Sequence, residues 1–166
     1  MMNDKFRKAT IEDLPKIVEI YNSTIASRMV TADTEPVTVE DRMDWYSRHN
    51  EKRPLYVMED EENNICGWLS FESFYGRPAY DKTAEISIYI SEKHRGQGLG
   101  TLFIEEALSM APALGIRSIM AFIFGHNQPS IKLFEKFGFE KWAHMPGIAE
   151  MDGQRYDLVI LGKEIE

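Results

Sequence analysis

A chain of 166 residues with 43% apolar and 28% charged side chains can hide roughly two thirds of the surface its unfolded form exposes, which excludes a disordered or collagen-like polymer. Lys and Arg number 19 against 27 Asp and Glu, a formal net charge of −8, so a broad nucleic-acid or anionic-membrane surface is not expected, although a few local cations and backbone dipoles can still hold a phosphate. Cys66 is the only cysteine, which excludes an intrachain disulfide and a multi-thiolate metal cluster and fits a reducing cytosol.

In chain order, the opening Met1 to Arg7 contains no apolar leader core, and the longest plainly apolar stretch, Ile119–Phe124, is too short to cross a bilayer. A cytoplasmic protein folded as one domain over residues 1–166 is therefore expected. Phe6 to Ala9 reads as a short strand. Thr10 and Asp13 have the spacing of an N-cap and an acidic first turn before Leu14, Ile17, Val18, Ile20 and Tyr21 at helical period. An irregular segment from Thr31 to Pro36 leads to a second helix over 38–49, capped by Thr38 with Asp41 three residues on.

The period then changes. Leu55–Met58 and Ile65–Phe71 flank the acidic turn Glu59-Asp60-Glu61-Glu62-Asn63-Asn64 as an antiparallel pair, and Thr83–Ile90 supplies another strand. A glycine-rich stretch at Arg95–Gly100 opens a helix through Leu102, Phe103, Ala107 and Leu108, and Ser118–Phe124 returns as a strand. Pro129-Ser130 begins a short helix stopped by Gly138, before strands around Phe139–Ala143 and Tyr156–Leu161. The expected class is α+β or α/β with one mixed sheet.

Arg95-Gly96-Gln97-Gly98-Leu99-Gly100 carries the most chemistry per residue. Glycines allow a close approach to the backbone, the following helix aims its positive end at the loop, and Lys93 and Arg95 add charge, so a pyrophosphate is the natural guest. The alternative is a generic glycine-rich turn. A P-loop is excluded because Thr101 follows Gly100 with no lysine between them, and a dinucleotide fingerprint would need an early strand and a later acidic residue.

In this context, Arg95, Gly98 and Gly100 fit an [Arg/Gln]-x-x-Gly-x-[Gly/Ala] loop, and Asn127, Ser130, Leu133, Phe134, Gly138 and Phe139 fit a second, later motif. The chain resembles the GNAT acetyltransferase superfamily. The resemblance implies an α+β, three-layer, α/β-like GNAT fold: a central, mixed but mostly antiparallel sheet with helices on both faces and a splayed strand pair that receives acetyl-CoA. By this resemblance Ile88, Tyr89 and Ile90 meet the pantetheine arm through their backbones, while the amides of Arg95, Gly96, Gln97, Gly98, Leu99, Gly100 and Thr101 hold the pyrophosphate. Asn127 and Ser130 either touch the cofactor or cap their helix, and both roles can coexist.

Ile20-Tyr21-Asn22, Thr31 with Glu35-Pro36, Ala79-Tyr80-Asp81, Thr83, Glu85, Ser87–Ile90 and Asp157 extend the likeness to phosphinothricin and methionine sulfoximine N-acetyltransferases over nearly the whole chain. These relatives acetylate the α-amine of small, glutamate-like amino acids. Glu85 stands at the family's catalytic acidic position, as base or amine anchor; the competing reading is a structural or exposed carboxylate. Tyr75, Arg77, Ile86 and Ser87 fall on the acceptor side by family position, where Arg77 either forks onto a carboxylate or is a surface or internally paired arginine. Thr31 and Glu35, entering from the irregular segment, and Tyr156 beside Asp157 either border the pocket or serve capping and packing, the stronger reading, and stay outside the catalytic set.

Two departures from the relatives stand out. Phe134 replaces a histidine suspected of catalysis there, and a phenyl ring moves no proton, so Glu85 is left as the main base and efficient use of phosphinothricin is placed in doubt. The region Ala149–Arg155 also differs, which points to an altered acceptor pocket. The expected chemistry is direct transfer in a ternary complex, with a backbone N–H of the cofactor-bearing strand meeting negative charge on the acetyl oxygen. Cys66 is read as core packing. His49, His94, His126 and His144 form no metal motif, and no metal is expected. A small-molecule amine and a second copy of the chain are the expected partners, with neither nucleic acid nor membrane. Two alternatives share the cofactor motifs: transfer to a peptide N-terminus, polyamine or other metabolite amine, and a non-catalytic acetyl-CoA sensor.

Overall fold

The structure, a computed structural model, describes residues 6–166. The leader expectation at Met1 to Lys5 falls outside the described residues, among which no helix is long and apolar enough to cross a membrane.

Strand β1 (Phe6–Lys8) precedes a 3-10 turn and helix α1 (Leu14–Ser23). The Thr10 N–H donates to Asp13 Oδ2 at 2.7 Å, as the sequence spacing requires. Asp13 also receives Arg7 at 2.8 Å, and the same guanidinium reaches Glu59 at 2.9 Å. The cap is thereby fastened to the first two strands, and the Arg7 hydrogen bond holds the Asp13 carboxyl below its usual range. The second helix is shorter than expected. A 3-10 turn over Glu40–Arg42 leads into α2 (Met43–Ser47), although Thr38 and Asp41 exchange the expected side-chain-to-amide bonds at 2.9 and 3.0 Å.

Strands β2 (Leu55–Glu59), β3 (Ile65–Ser73) and β4 (Thr83–Ile90) form an antiparallel meander, followed by α3 (Leu99–Met110), β5 (Ser118–Phe124), α4 (Gln128–Lys136), β6 (Glu140–Met151) and β7 (Gln154–Glu164). Among the described residues, seven strands lie in the order β1-β2-β3-β4-β5-β7-β6, with β4–β5 as a parallel pair in an otherwise antiparallel sheet. The last hairpin is longer than the sequence suggested: β6 is largely exposed and holds Pro146 and Gly147, so it lacks the apolar alternation that marks a strand. The polar stretch Ala149–Arg155 is the end of this hairpin, where Asp152 and Gly153 turn with φ of +54° and +78° and Asp152 pairs with Arg28 at 2.8 Å.

Alternation along the strands divides the core in two. On one face α1 buries Leu14, Ile17, Val18 and Ile20 against Leu55, Val57 and Trp68. On the other, Phe103, Ile104 and Ala107 of α3 and Ile131 and Phe134 of α4 cover Leu69, Phe71 and Ile86. Each large apolar side chain so buried contributes about 1.5–3 kcal/mol. Helices on both faces of one mixed sheet are the architecture the sequence implied.

Candidate active site

The parallel ladder between β4 and β5 has three rungs, Thr83 to Ser118, Ala84 to Ile119 and Glu85 to Met120. Beyond them β5 continues to pair with β7 through Phe124, while the remaining length of β4 has no partner on its β5 side. The two strands open into a cleft bounded by Ile86–Ile90 and Ala121–Phe124 and closed by α3 at Gly100 and α4 at Ser130. The expected splayed pair is therefore present, and it leaves backbone N–H and C=O groups of β4 free for a ligand. The Tyr89 side chain points away from this ladder edge. Its ring stacks on Trp68 at 4.6 Å and tilts against Tyr21 at 5.1 Å, and burial raises its phenol well above the ordinary range.

At the end of the cleft, Gly96 and Gly98 both adopt φ of +77°, and Gly98 caps α3 without a side chain. The first backbone bond of the helix, from Leu102 N to Gly98 O at 3.3 Å, leaves the first-turn amides of Leu99, Gly100 and Thr101 without helical partners. Gly100 allows α3 to approach α4, since a Cβ there would stand 2.9 Å from Leu133 Cδ2. Arg95 is exposed and reaches the Ile90 carbonyl at 3.4 Å, and Lys93 and Gln97 are also exposed. His94 anchors the loop to the β2–β3 turn through Asp60, 3.1 Å away. The Asn64 amide, together with His94, holds that carboxyl below its usual range.

Asn127 realises its capping role. Its Oδ1 accepts from the Ser130 amide at 3.3 Å, while its Nδ2 donates to the Met29 carbonyl at 3.1 Å, tying α4 to the segment after α1. Ser130 lines the cleft. Phe134 is buried edge-on against Phe139 at 5.0 Å and also lines the cleft, so no proton-transfer group stands at that position. Cys66 donates to the Met58 carbonyl at 3.2 Å, and burial pushes its thiol up to about 11, as suits a packing residue.

Glu85 sits half-buried at the fork. Burial, and then the charge of Glu72 directly across the β3–β4 ladder, push its carboxyl up to about 7. Ser87 and Tyr89 share its face by alternation, whereas Ile86 turns its side chain into the opposite face, packed under α3 and α4. Ile86 therefore keeps only its backbone for the acceptor role expected of it. Tyr75 is exposed at φ +59° within an aromatic group with Phe74 and Tyr80. It also lines a concavity of about 430 Å³ shared with Arg48, His49 and Glu72, in the size range of small-ligand clefts. Arg77 is exposed; its carbonyl accepts from the Tyr80 amide at 2.9 Å, but among the described residues its guanidinium takes no hydrogen bond or ion pair, and the surface recess it lines does not include Glu85.

Sequence reasoning missed two parts of this face. Tyr21 bonds Thr31 Oγ1 at 2.5 Å and also Asp33, while Arg42 lies 4.3 Å above the Tyr21 ring. Glu72 is held by Trp45 Nε1 at 3.3 Å and Arg48 at 3.8 Å. Neither group is contiguous in sequence, and the Glu72–Glu85 pairing appears only once the strand register is known.

The model of the Acetyltransferase (GNAT) family matches residues 17–139. A Bacillus subtilis (strain 168) protein named "Putative phosphinothricin acetyltransferase YwnH" is 69% identical over 159 residues, covering 96% of this chain and 98% of the relative. An L-methionine sulfoximine/L-methionine sulfone acetyltransferase of Pseudomonas paraeruginosa is 29% identical over 161 residues, covering 96% and 94%. A crystal structure of a GNAT superfamily phosphinothricin acetyltransferase from Sinorhizobium meliloti in complex with AcCoA superposes with a TM-score of 0.90 at 28% identity, covering 96% of this chain and 87% of that one. With its family model matched over residues 17–139 of 166 and a relative 69% identical across nearly its whole length, the chain belongs to the acetyltransferase (GNAT) family.

Proposed function

We propose that this enzyme transfers the acetyl group of acetyl-CoA directly to the α-amine of a small amino acid or analogue of the methionine sulfoximine and phosphinothricin kind. The observation that carries this reading is the position of Glu85, a carboxylate of raised proton affinity at the point where β4 and β5 part. The residues present fit the donor. Gly96 and Gly98 present a concave backbone at φ +77°, the α3 amides from Leu99 to Thr101 lack helical partners, and the edge of β4 over Ile88, Tyr89 and Ile90 is unpaired toward β5. Arg95, Gln97 and Lys93 flank the phosphate end, and Ser130, beside Asn127, borders the cleft wall. When bound, acetyl-CoA supplies an activated acetyl thioester.

The acceptor reaches the site as an ammonium ion with no lone pair to attack. Glu85 takes one of its protons, so an N–H bond breaks, an O–H bond forms on the carboxyl group, and a neutral amine is left beside the cleft. The Ser87 hydroxyl, one alternation along the same face, orients that amine. Tyr75 and the Ile86 backbone border the acceptor, and the Arg77 guanidinium, free of internal partners among the described residues, swings onto its carboxylate. The protein is one domain, requires no metal for this chemistry and works in the cytosol as a homodimer. Support for a second copy comes from the edge strand β6, which exposes Trp142 and Ile148.

A coenzyme A release screen with methionine sulfoximine, methionine sulfone, phosphinothricin and ordinary amino acids, with peptides and polyamines in parallel, tests the reading. Product masses should show one added acetyl group on the amino acids. Acetylation of peptides or polyamines alone would reject the acceptor class, and no release with any amine would reject catalysis in favour of a sensor.

A further inference from the structure

Glu72 and Glu85 occupy the same rung of the antiparallel β3–β4 ladder, so their side chains leave the sheet on the same face, with Cβ atoms about 4.5–5.5 Å apart. Like charges directly opposite one another weaken a sheet, and such a pair calls for a physical account. The two carboxylates have unequal surroundings. Glu72 Oε2 accepts from Trp45 Nε1 at 3.3 Å, and Arg48 lies 3.8 Å from Oε1, two contacts that hold the Glu72 side chain in place. The Glu85 carboxylate takes no hydrogen bond among the described residues.

The other groups around the pair do not cancel the charge of Glu72. Arg48 is 65% exposed, so water screens its attraction. His49, the next residue of that segment, lies 2.6 Å from Ser70 Oγ through Nε2, and burial lowers its imidazole below the usual range. On the other side of Glu85, β5 offers only Met120. Ser87, next on the face of β4, carries no charge. The field at Glu85 is therefore dominated by a neighbouring carboxylate whose own position is fixed by α2 and the residue after it.

We infer that Glu72 is a positioning residue that acts through Glu85: fixed by Trp45 and Arg48 across the β3–β4 ladder, its negative charge strengthens Glu85 as the acceptor of the substrate's ammonium proton. Glu72 touches no reacting atom. It adds to burial in raising the pH at which Glu85 changes from acid to base, and with Glu85 it makes the approach to the fork favourable for a cation. The inference rests on the base role proposed for Glu85, but its electrostatic core does not depend on the identity of the acceptor.

The test uses the full-length protein in two variants that push in opposite directions. Glu72→Gln removes the charge while keeping an oxygen for the Trp45 indole, and Arg48→Met removes the exposed counter-charge. The Glu85 carboxyl is titrated by carbon-13 NMR, its resonance assigned by its loss in Glu85→Gln, and the acid limb of kcat/KM is recorded with methionine sulfone. The Glu85 midpoint should fall by on the order of one pH unit in Glu72→Gln and rise in Arg48→Met, with the rate limb following both shifts. An unmoved midpoint in both variants overturns the inference. Moved midpoints with an unmoved rate limb overturn the positioning role. Moved midpoints in a protein that acetylates no amino acid would instead refute the acceptor proposal and leave the coupling of the two carboxylates supported.

Discussion

Glu85 and Met120 are the last partners of the parallel β4–β5 ladder, and past them the two strands diverge. The rung fixes a carboxylate beside the opening through which a ligand along β4 would present its reactive end. Burial at the fork, rather than a donor that would favour its charge, sets the chemistry of Glu85.

Glu85→Gln should lower kcat by about 100- to 10,000-fold while leaving acetyl-CoA affinity, read by calorimetry, within the wild-type range. The wild-type kcat/KM should show an acid limb near pH 7, because transfer needs the deprotonated carboxylate. Stability has the opposite sign. A carboxyl raised from 4.5 to about 7 on folding contributes stability fully below 4.5 and loses it as pH rises through 7, an effect of roughly 3 kcal/mol at most. The melting temperature of Glu85→Gln relative to wild type should therefore be higher at pH 8 than at pH 5.

Arg77→Ala should raise KM for carboxylated acceptors roughly 10- to 100-fold, the range expected for a lost charge-assisted contact, with little change for amines lacking a carboxylate. Because the Arg77 guanidinium has no internal partner among the described residues, thermal stability should hardly move. Equal KM increases for both classes of amine in steady-state assays would remove Arg77 from carboxylate recognition.

Gly98→Ala places a side chain at φ +77° in the cap of α3. Left-handed backbone costs a non-glycine residue about 1–2 kcal/mol, and a methyl group intrudes where a phosphate would meet the amides. Both urea denaturation and acetyl-CoA titration should show the loss, with affinity reduced more than overall stability requires.

Cys66→Ala should retain full transfer activity and lose about 1 kcal/mol of stability through the small void it leaves. With its thiol pushed up to about 11 and buried under Met58, Cys66 in the wild-type protein should resist iodoacetamide at pH 8 until the chain is unfolded. Rapid alkylation accompanied by loss of turnover would contradict direct transfer.

The strands Thr83–Ile90 and Ser118–Phe124 were legible in sequence from their apolar pattern, and the helix after Gly98 from the spacing of Leu102, Phe103, Ala107 and Leu108. The hairpin of β6 and β7 was not, because the exposed edge strand lacks apolar alternation and its pairing with β7 is what holds it extended. For Asn127 the sequence left capping and cofactor contact open; the structure shows the cap, and its hold on the Met29 carbonyl comes from a segment 98 residues away.

Local chemistry is what the sequence determined by itself: a glycine-capped helix start, a strand carrying Glu85, and motifs that assign the chain to its family. Those features depend on neighbours a few residues apart, where backbone geometry and period act directly. The tertiary structure alone decided that Ile86 faces the core, that Arg77 stands free on the surface, and that Glu72 lies across from Glu85. Strand register and burial set the electric field at a side chain, and both arise from pairings between distant segments that no local pattern records.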